Sequence, residues 1–281
     1  MPLLTPVTMA TFPVRSIFLG KFSRMAFSIR LQSNALAGLR RGALLLAGTI
    51  GLGACGAGHE TDCLKSNGSV TTQRRAIDRR VRSVLVHDNV DLIIVPDTAT
   101  YAEVRAGEHV IDGLTLTSQG PKTLLINNTN TCNWTRSYDS PFEVRLHVPH
   151  LTDVRQLGYG TLSTASRWTQ DTLFVHLLGA GDVKMDVVSK YLYTDMYELG
   201  DMTLSGTAAE FHPLVGGSGF LFAGGLNTKV CYFQTTRTSL GDAHVRATQA
   251  LGGTHDGKGT FYYAGNPSFM SLKGSGKLAQ E

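Results

Sequence analysis

The amino-acid sequence predicts an all-β protein folded as a parallel β-helix, a solenoid with about 18–22 residues per coil. The first observation is a series of seven glycine-centred turns in the second half of the 281-residue chain. The second is that the segments between the turns are short and alternate apolar with polar residues. The third is that no segment has apolar residues at helical spacing over ten or more positions. The last glycines of the seven turns are Gly160, Gly181, Gly200, Gly219, Gly241, Gly259 and Gly276.

The spacing of these glycines is that of a stacked repeat. Successive glycines lie 21, 19, 19, 22, 18 and 17 residues apart. A unit of this length is too small to bury a core alone, so it must stack on its neighbours. Glycine suits the corners because it accepts positive φ and has no Cβ to clash with the next coil. An antiparallel sandwich also explains the short strands, but it gives no reason for a glycine at the same position of each repeat. A propeller blade needs about twice the observed period.

Strand-like segments fill most of the remaining sequence. Gly, Pro, Asn and Asp occupy the breaks between them. From about residue 140, each repeat has one short strand after its glycine turn and a second strand about ten residues later. Alternation gives each strand one buried and one wet face, and we expect almost no helix. The predicted strands lie at residues 82–95 (two strands around His87), 101–106, 114–117, 124–126, 142–148, 173–178, 183–187, 192–196, 202–204, 230–234, 243–247 and 269–272.

The first 54 residues have the composition of an export signal. They contain no Asp or Glu, and Arg30, Arg40 and Arg41 precede an uncharged apolar run at residues 42–54. A run of about a dozen residues is too short to span a membrane but fits a secretory signal. Because residues 1–24 fit no part of such a signal, Met25 is a more natural start than Met1.

The apolar run ends in Leu52-Gly53-Ala54-Cys55, which resembles the bacterial lipoprotein signal, where the cysteine is acylated and becomes the mature N-terminus. An ordinary signal peptide followed by a coincidental cysteine is the alternative. We therefore expect three parts. They are a leader with a lipoprotein signal peptide (1–54), the lipidated Cys55 with a flexible tether rich in small and polar residues (55–79), and a β-helix domain (80–281).

Processing at Cys55 changes the charge of the protein. Six of the 26 Lys and Arg residues lie in the leader, so 20 remain against 22 Asp and Glu, and the net charge changes from +4 to −2. The pI of about 8.9 reflects the leader, so no nucleic-acid partner is expected. No later stretch approaches 18 apolar residues, so membrane attachment is expected through the lipid anchor only.

Three cysteines remain after the anchor. Cys63, Cys132 and Cys231 are an odd number, so at least one thiol is free, and their pairing stays open. Cys231 lies in an apolar strand and is expected to be buried and inert.

Several strings follow one another in a characteristic order: residues 89–94, Val148-Pro149-His150-Leu151, Gly181-Asp182, Gly200-Asp201, Gly241-Asp242, residues 259–267 and Gly274-Ser275-Gly276. Together they resemble the head GIN domain family of bacterial exported proteins, also called auto-transporter adhesins. The resemblance covers roughly residues 80–279 and implies a single-stranded, right-handed parallel β-helix with a surface-binding role. Thr161, Phe220, Thr260 and Lys277 stand where the family often has Asp, and residues 127–140 look like an elaborated loop.

The aspartates after the turn glycines are the first candidates for chemistry. Equivalent positions in stacked coils lie about 4.8 Å apart, so Asp182 and Asp201 repel unless a cation or turn amides compensate. A calcium ladder is one hypothesis, but the period differs from that of calcium-binding nonapeptide repeats, and Phe220 separates Asp242 from the other two. Aspartates at turns usually accept backbone N–H groups of their own turn. We expect a structural role and assign no metal or other cofactor.

An enzyme would need carboxylates, or a carboxylate with a cation, gathered on one outer face. Lys184 and Asp186 form an outward pair on one strand, although such a pair is usually a solvated surface. Because no hydrolase, metalloprotease or phosphate-binding motif is present, no catalytic residue is assigned. A polysaccharide lyase or hydrolase of the envelope is the alternative function. Its candidate clusters are Asp182, Lys184, Asp186 and Asp201, or His176 with Glu198.

Aromatic residues in the repeats suggest recognition by the outer surface. Exposed rings beside polar groups suit sugar stacking or a protein patch, although some of these rings are expected to line or cap the tube. The predicted function is therefore a lipid-anchored cell-envelope protein, at the outer membrane, with a non-catalytic structural or surface-binding role. The ligand, a glycan or a protein, stays open. The aromatics are Trp168, Tyr191, Tyr193, Tyr197, Tyr262 and Tyr263.

Overall fold

The computed structural model describes residues 66–131 and 140–281. The predicted leader, Cys55, Cys63 and Cys132 lie outside these residues. The described chain is all-β, as predicted, with one 3₁₀ turn at Ile111–Gly113. The strands are β1 (Val70–Ala76), β2 (Ser83–Val86), β3 (Asp91–Pro96), β4 (Tyr101–Gly107), β5 (Leu114–Ser118), β6 (Thr123–Asn128), β7 (Glu143–Val148), β8 (Asp153–Gln156), β9 (Leu162–Thr164), β10 (Trp168–Leu177), β11 (Val183–Met196), β12 (Met202–Val215), β13 (Leu221–Thr235), β14 (Ala243–His255), β15 (Thr260–Ala264), β16 (Phe269–Lys273) and β17 (Lys277–Gln280).

Parallel strands stack in register into a solenoid of about six turns. The steps along one inward column are 21, 19, 19, 22, 18 and 17 residues, the same as the steps between the turn glycines. The glycine repeat is therefore the coil repeat, and the predicted parallel β-helix is confirmed. The column contains Leu162, Val183, Met202, Leu221, Ala243, Phe261 and Leu278.

The coils form three faces. Face A consists of β6, β2 and β8, followed by the C-terminal parts of β10 to β14 and by β16. Face B consists of β7, β3 and β9, followed by the N-terminal parts of β11 to β14, then β15 and β17. The start of β10 and the middle of β11 to β13 form face C.

The long strands differ from the sequence prediction. Strand β11 joins the two strands predicted at 183–187 and 192–196, and it pairs with β12 from Val183↔Met202 to Met196↔Val215. The ladder thus continues around the bend between faces. Alternation alone shows where side chains point, and it does not show whether backbone pairing survives a bend.

The first part of the domain contains antiparallel pairs that the sequence did not predict. Strands β1 and β4 are antiparallel, as are β4 with β7 and β5 with β6. All seven residues of Val70–Ala76 pair with β4, whereas the sequence placed them in the flexible tether. Strand β1 has little apolar alternation. It is held in place by its hydrogen-bonded ladder with β4 and by Arg75, whose guanidinium donates to the Ile111 carbonyl at 2.8 Å.

The core runs along the solenoid axis as columns of inward side chains. One column on face A has no exposed surface at any of five coils, because each residue is covered from above and below. None of the described segments forms a helix long and apolar enough to cross a membrane. The column contains Leu173, Leu192, Phe211, Cys231 and Leu251.

The turn glycines form one edge of the solenoid, where successive coils approach very closely. A Cβ on Gly200 would lie 1.8 Å from the Gly181 carbonyl oxygen, and a Cβ on Gly219 would lie 1.8 Å from that of Gly200. Neither Gly200 nor Gly219 has positive φ. Contact between coils, rather than backbone handedness, is what requires glycine at this edge.

Candidate functional site

Outward side chains of face A form an aromatic column along the solenoid axis. The register places Phe174, Tyr193 and His212 at equivalent positions of successive coils. The ring centroids of Phe174 and Tyr193 are 5.0 Å apart, and those of Tyr193 and His212 are 4.7 Å apart, in stacked geometry. Tyr232 extends the column, with its centroid 5.7 Å from that of His212. Four coils thus present one continuous aromatic strip.

A second outward column lies two residues further along each strand. It begins with His176 and Asp195 and continues through Leu214 to Gln234. A cavity of about 320 Å³ runs between the two columns, with Thr194 and Pro213 also in its wall. We call this cavity the face A groove and define it by Phe174, His176, Tyr193, Asp195, His212, Leu214, Tyr232 and Gln234.

Charged side chains cluster at the end of the groove nearest the N-terminal coils. The His176 Nδ1 lies 2.8 Å from Asp195 Oδ2 and its Nε2 lies 3.8 Å from Asp153 Oδ1. Arg155 donates two hydrogen bonds to Asp153, at 2.9 and 2.7 Å. The hydrogen bond to Asp153 raises the pKa of Arg155. His176 is therefore held between two carboxylates, and Arg155 is engaged by one of them.

Asp195 carries an acceptor that the protein leaves unused. Its Oδ2 is held by His176, while its Oδ1 is buried and has no hydrogen-bond partner among the described residues. A buried carboxylate oxygen without a donor is costly. Asp195 as a residue lines the groove.

Tyr232 ends the aromatic column. The next coil has Gly252 at the paired position, so no side chain stacks on the far side of the ring. The ring is tilted by 37° from that of His212, and a Cβ on Gly252 would lie 3.0 Å from it. Tyr232 is 46% exposed, compared with 38% for Phe174.

The aspartates at the turns are engaged in backbone hydrogen bonds between coils. Asp182 Oδ1 accepts from the Asp201 amide at 3.1 Å, and Asp201 Oδ1 accepts from the Phe220 amide at 2.8 Å. Asp242 Oδ1 accepts from the Thr260 amide at 2.6 Å. Each carboxylate caps the next coil, whereas the sequence suggested a bond within its own turn. No group of three or more His, Cys, Asp or Glu residues is arranged for a metal ion in the described part of the chain.

The clusters considered for catalysis are dispersed or paired differently. Asp182 lies 3.7 Å from Lys184, while Asp186 forms an ion pair with Arg167 at 3.2 Å. His176 is paired with Asp195 and not with Glu198. The sequence suggested Glu198 as the acid beside His176, whereas the structure places Asp195 there.

The predicted surface aromatics have different fates. Trp168 is 2% exposed and its indole N–H donates to the Leu151 carbonyl at 3.3 Å, so it belongs to the core. Tyr263 is half-buried against the core. Tyr193 lies in the face A groove and Tyr262 stacks on His244 of face B, with centroids 4.5 Å apart. Tyr197 is exposed, and Lys190 lies over the Tyr191 ring at 5.2 Å.

Most residues of the face A groove were not predicted from the sequence. Phe174, His212 and Tyr232 recur with Tyr193 at steps of 19, 19 and 20 residues, a period that the sequence contains. Of the groove residues, only Tyr193 and His176 were candidates from the sequence, because the glycine turns and the tyrosine-rich strings are its more prominent patterns.

Cys231 is a free, fully buried thiol, as expected. Burial raises the pKa of this thiol. It lies in the inward column of face A, so it belongs to the packing of the core.

Comparisons with known proteins agree with this architecture. The family model described as "Putative auto-transporter adhesin, head GIN domain" matches residues 82–267. No curated protein matches the chain.

Solved structures share the fold at low sequence identity. A crystal structure of a "putative adhesin" from Bacteroides fragilis has a TM-score of 0.69 and 18% identity, covering 77% of this chain and 98% of its own. A "putative lipid binding protein" from Parabacteroides distasonis has a TM-score of 0.56 and 20% identity, covering 77% and 100%. A "putative adhesin" from the same species has a TM-score of 0.52 and 18% identity, covering 77% and 99%.

The family match confirms the resemblance drawn from the sequence. It spans most of the chain, from β2 to the turn after β15, and so includes every strand that forms the face A groove. This chain belongs to the head GIN domain family.

Proposed function

We propose that this protein is an exported, lipid-anchored component of the cell envelope that binds a surface ligand in the face A groove without catalysing a reaction. The observation that supports this proposal most directly is the groove itself, an aromatic and polar surface across four coils. Its side chains occupy the outward positions of the alternating strands. Membership in a family described as adhesins supports a binding role.

A pair of matched substitutions tests the groove. Leu214→Arg places a long charged side chain in the wall of the groove, while Leu240→Arg makes the same change at an exposed turn outside it. Full-length protein displayed on bacterial cells should lose adherence to glycan-coated or matrix-coated surfaces in the first variant only. Equal adherence of both variants and the parent would refute binding in the groove.

The domain assignment and anchoring form a separate part of the proposal. The leader 1–54, the lipidated Cys55 and the tether from Cys55 to about residue 69, before β1, would hold the solenoid near the membrane. Processing should be sensitive to globomycin, and Cys55→Ser should release the protein into the soluble fraction. Membrane retention of Cys55→Ser would refute lipid anchoring. Labelling of intact cells would show which face of the outer membrane carries the domain.

A polysaccharide-acting enzyme is the second candidate, and one observation favours it. His176 lies between Asp153 and Asp195 at the end of the groove, and a histidine between carboxylates is a familiar acid–base arrangement. Incubation with polysaccharides and detection of new reducing ends or unsaturated products tests this activity. Product formation that disappears in His176→Ala would establish the enzyme and refute the non-catalytic role.

A further inference from the structure

We infer that the ligand of the face A groove is a linear, uncharged glycan lying along the solenoid axis, an inference that rests on the proposed function. The shape of the groove is the first reason. It crosses four coils, and equivalent side chains repeat about every 4.8 Å, so it offers an extended chain a series of similar contacts. Both walls follow the same period, because Phe174, Tyr193 and His212 pair in the same register as His176, Asp195 and Leu214.

The aromatic contribution is concentrated at Tyr232. The inner rings of the column stack on one another, so their faces are occupied by neighbouring rings. Tyr232 differs because Gly252, at the paired position of the next coil, has no side chain to stack on it, and it is the most exposed ring of the column. The exposed part of such a ring is an amphipathic platform on which the apolar side of a sugar ring packs.

The polar contribution comes from the Asp195 carboxylate in the wall of the groove. His176 holds Asp195 Oδ2 at 2.8 Å, while Oδ1 is buried and without a donor among the described residues. A ligand hydroxyl would supply that donor once the carboxylate turns Oδ1 toward the groove, and this gain favours a polyhydroxyl ligand. Gln234 of the same column offers both a donor and an acceptor in the amide.

Charge decides against acidic polymers. The carboxylates of Asp153, Asp195 and Glu210 lie in or beside the groove, and Glu210 is 3.3 Å from His212. The only guanidinium among these contacts is that of Arg155, which is hydrogen-bonded to Asp153. A uronate, sulfated or phosphorylated chain would meet an excess of negative charge. The groove therefore selects a neutral polyhydroxyl chain.

The test uses full-length protein in native gels that contain β-1,4-glucan, galactomannan or polygalacturonate. At least one neutral polysaccharide should slow migration, and polygalacturonate should not. Tyr232→Ala and Asp195→Asn should each weaken binding roughly tenfold, which corresponds to ~1.4 kcal/mol. Tyr262→Ala is the matched control, since it removes a stacked tyrosine from face B, and its affinity should equal that of the parent. Circular dichroism verifies that each variant is folded.

Two outcomes overturn the inference. One is that no neutral polysaccharide binds or that polygalacturonate binds better, and the other is that Tyr262→Ala weakens binding as much as Tyr232→Ala. The adherence assay separates these failures from failure of the proposed function. If adherence is lost in Leu214→Arg while no glycan binds, the groove takes a protein ligand. If adherence is equal in the parent and in Leu214→Arg, both proposals fail.

Discussion

Replacing Gly200 by alanine should destabilise the solenoid more than almost any other addition of a single methyl group. The new Cβ would lie 1.8 Å from the Gly181 carbonyl oxygen, whereas real Cβ contacts stay beyond 3.0 Å. One coil must therefore move by more than 1 Å relative to the other. That movement acts directly on the bonds of Asp201, which accepts from the Val183 amide at 2.9 Å and donates to Asp182 Oδ1 at 3.1 Å.

The magnitude follows from these contacts. Overpacking of a close-packed site costs about 1–3 kcal/mol, and each of the two weakened hydrogen bonds contributes about 1 kcal/mol. The loss in the free energy of unfolding is then ~3–5 kcal/mol. For a domain of this size, each kcal/mol changes the melting temperature by about 2–4 °C, so a decrease of roughly 6–20 °C is expected.

Differential scanning calorimetry of full-length protein measures this change. Gly224→Ala is the matched control, because a Cβ there would have no neighbour within 4 Å and Gly224 does not have positive φ. Its melting temperature should stay within about 2 °C of the parent. The reasoning would be refuted by a Gly200→Ala variant as stable as the parent, or by an equal loss in Gly224→Ala.

Three further predictions concern the coil caps, the buried thiol and acid stability. Asp201→Ala deprives the Phe220 amide of its 2.8 Å acceptor and should lower the free energy of unfolding in urea by about 1–2 kcal/mol. Asp201→Asn keeps an acceptor and should lower it less. Equal losses in the two variants would contradict the capping role of Asp201. With all other cysteines changed to serine, Cys231 should resist thiol reagents until urea unfolds the chain, because burial raises its pKa; prompt labelling of the native protein would contradict this. Bonds from the Ala99 amide and from His147 lower the pKa of Asp97. Its stabilising contribution is therefore present above the unfolded pKa of about 3.9 and is lost as pH falls through the lower folded value. The stability difference between the parent and Asp97→Asn should shrink below about pH 4, and a constant difference would exclude the linkage.

The solenoid could be predicted from the sequence because equivalent residues of successive coils recur at nearly regular intervals along the chain. The turn glycines and the register of the inward column have the same six steps, so the repeat could be read without knowing any contact. The antiparallel start of the domain leaves no such record. Strand β1 is largely polar, and it is ordered by pairing with β4 about thirty residues later in the chain.

The site was harder to predict than the fold. His176 and Asp195 are 19 residues apart in sequence, and only the coil register brings them to 2.8 Å. From the sequence, His176 was grouped with Glu198. That residue lies three positions beyond Asp195, which the coil register places beside His176. Likewise, the aromatic column ends at Tyr232 because the paired position one coil later is Gly252, whose role is not visible in the sequence pattern.

The glycine edge therefore also determines how the side chains of the face A groove are arranged. A shift of one residue between β10 and β11 would bring Thr194 or Met196 beside His176 and turn Asp195 toward the core, because side chains alternate between faces. Gly181 and Gly200 each lie four residues after the end of β10 and β11, respectively. Their close contact opposes such a shift because only glycine in register fits there. The residues that build the tube thus fix which side chains meet in the groove, although none of them lines it. A variant that loosens the glycine edge should weaken ligand binding even under conditions where the chain stays folded.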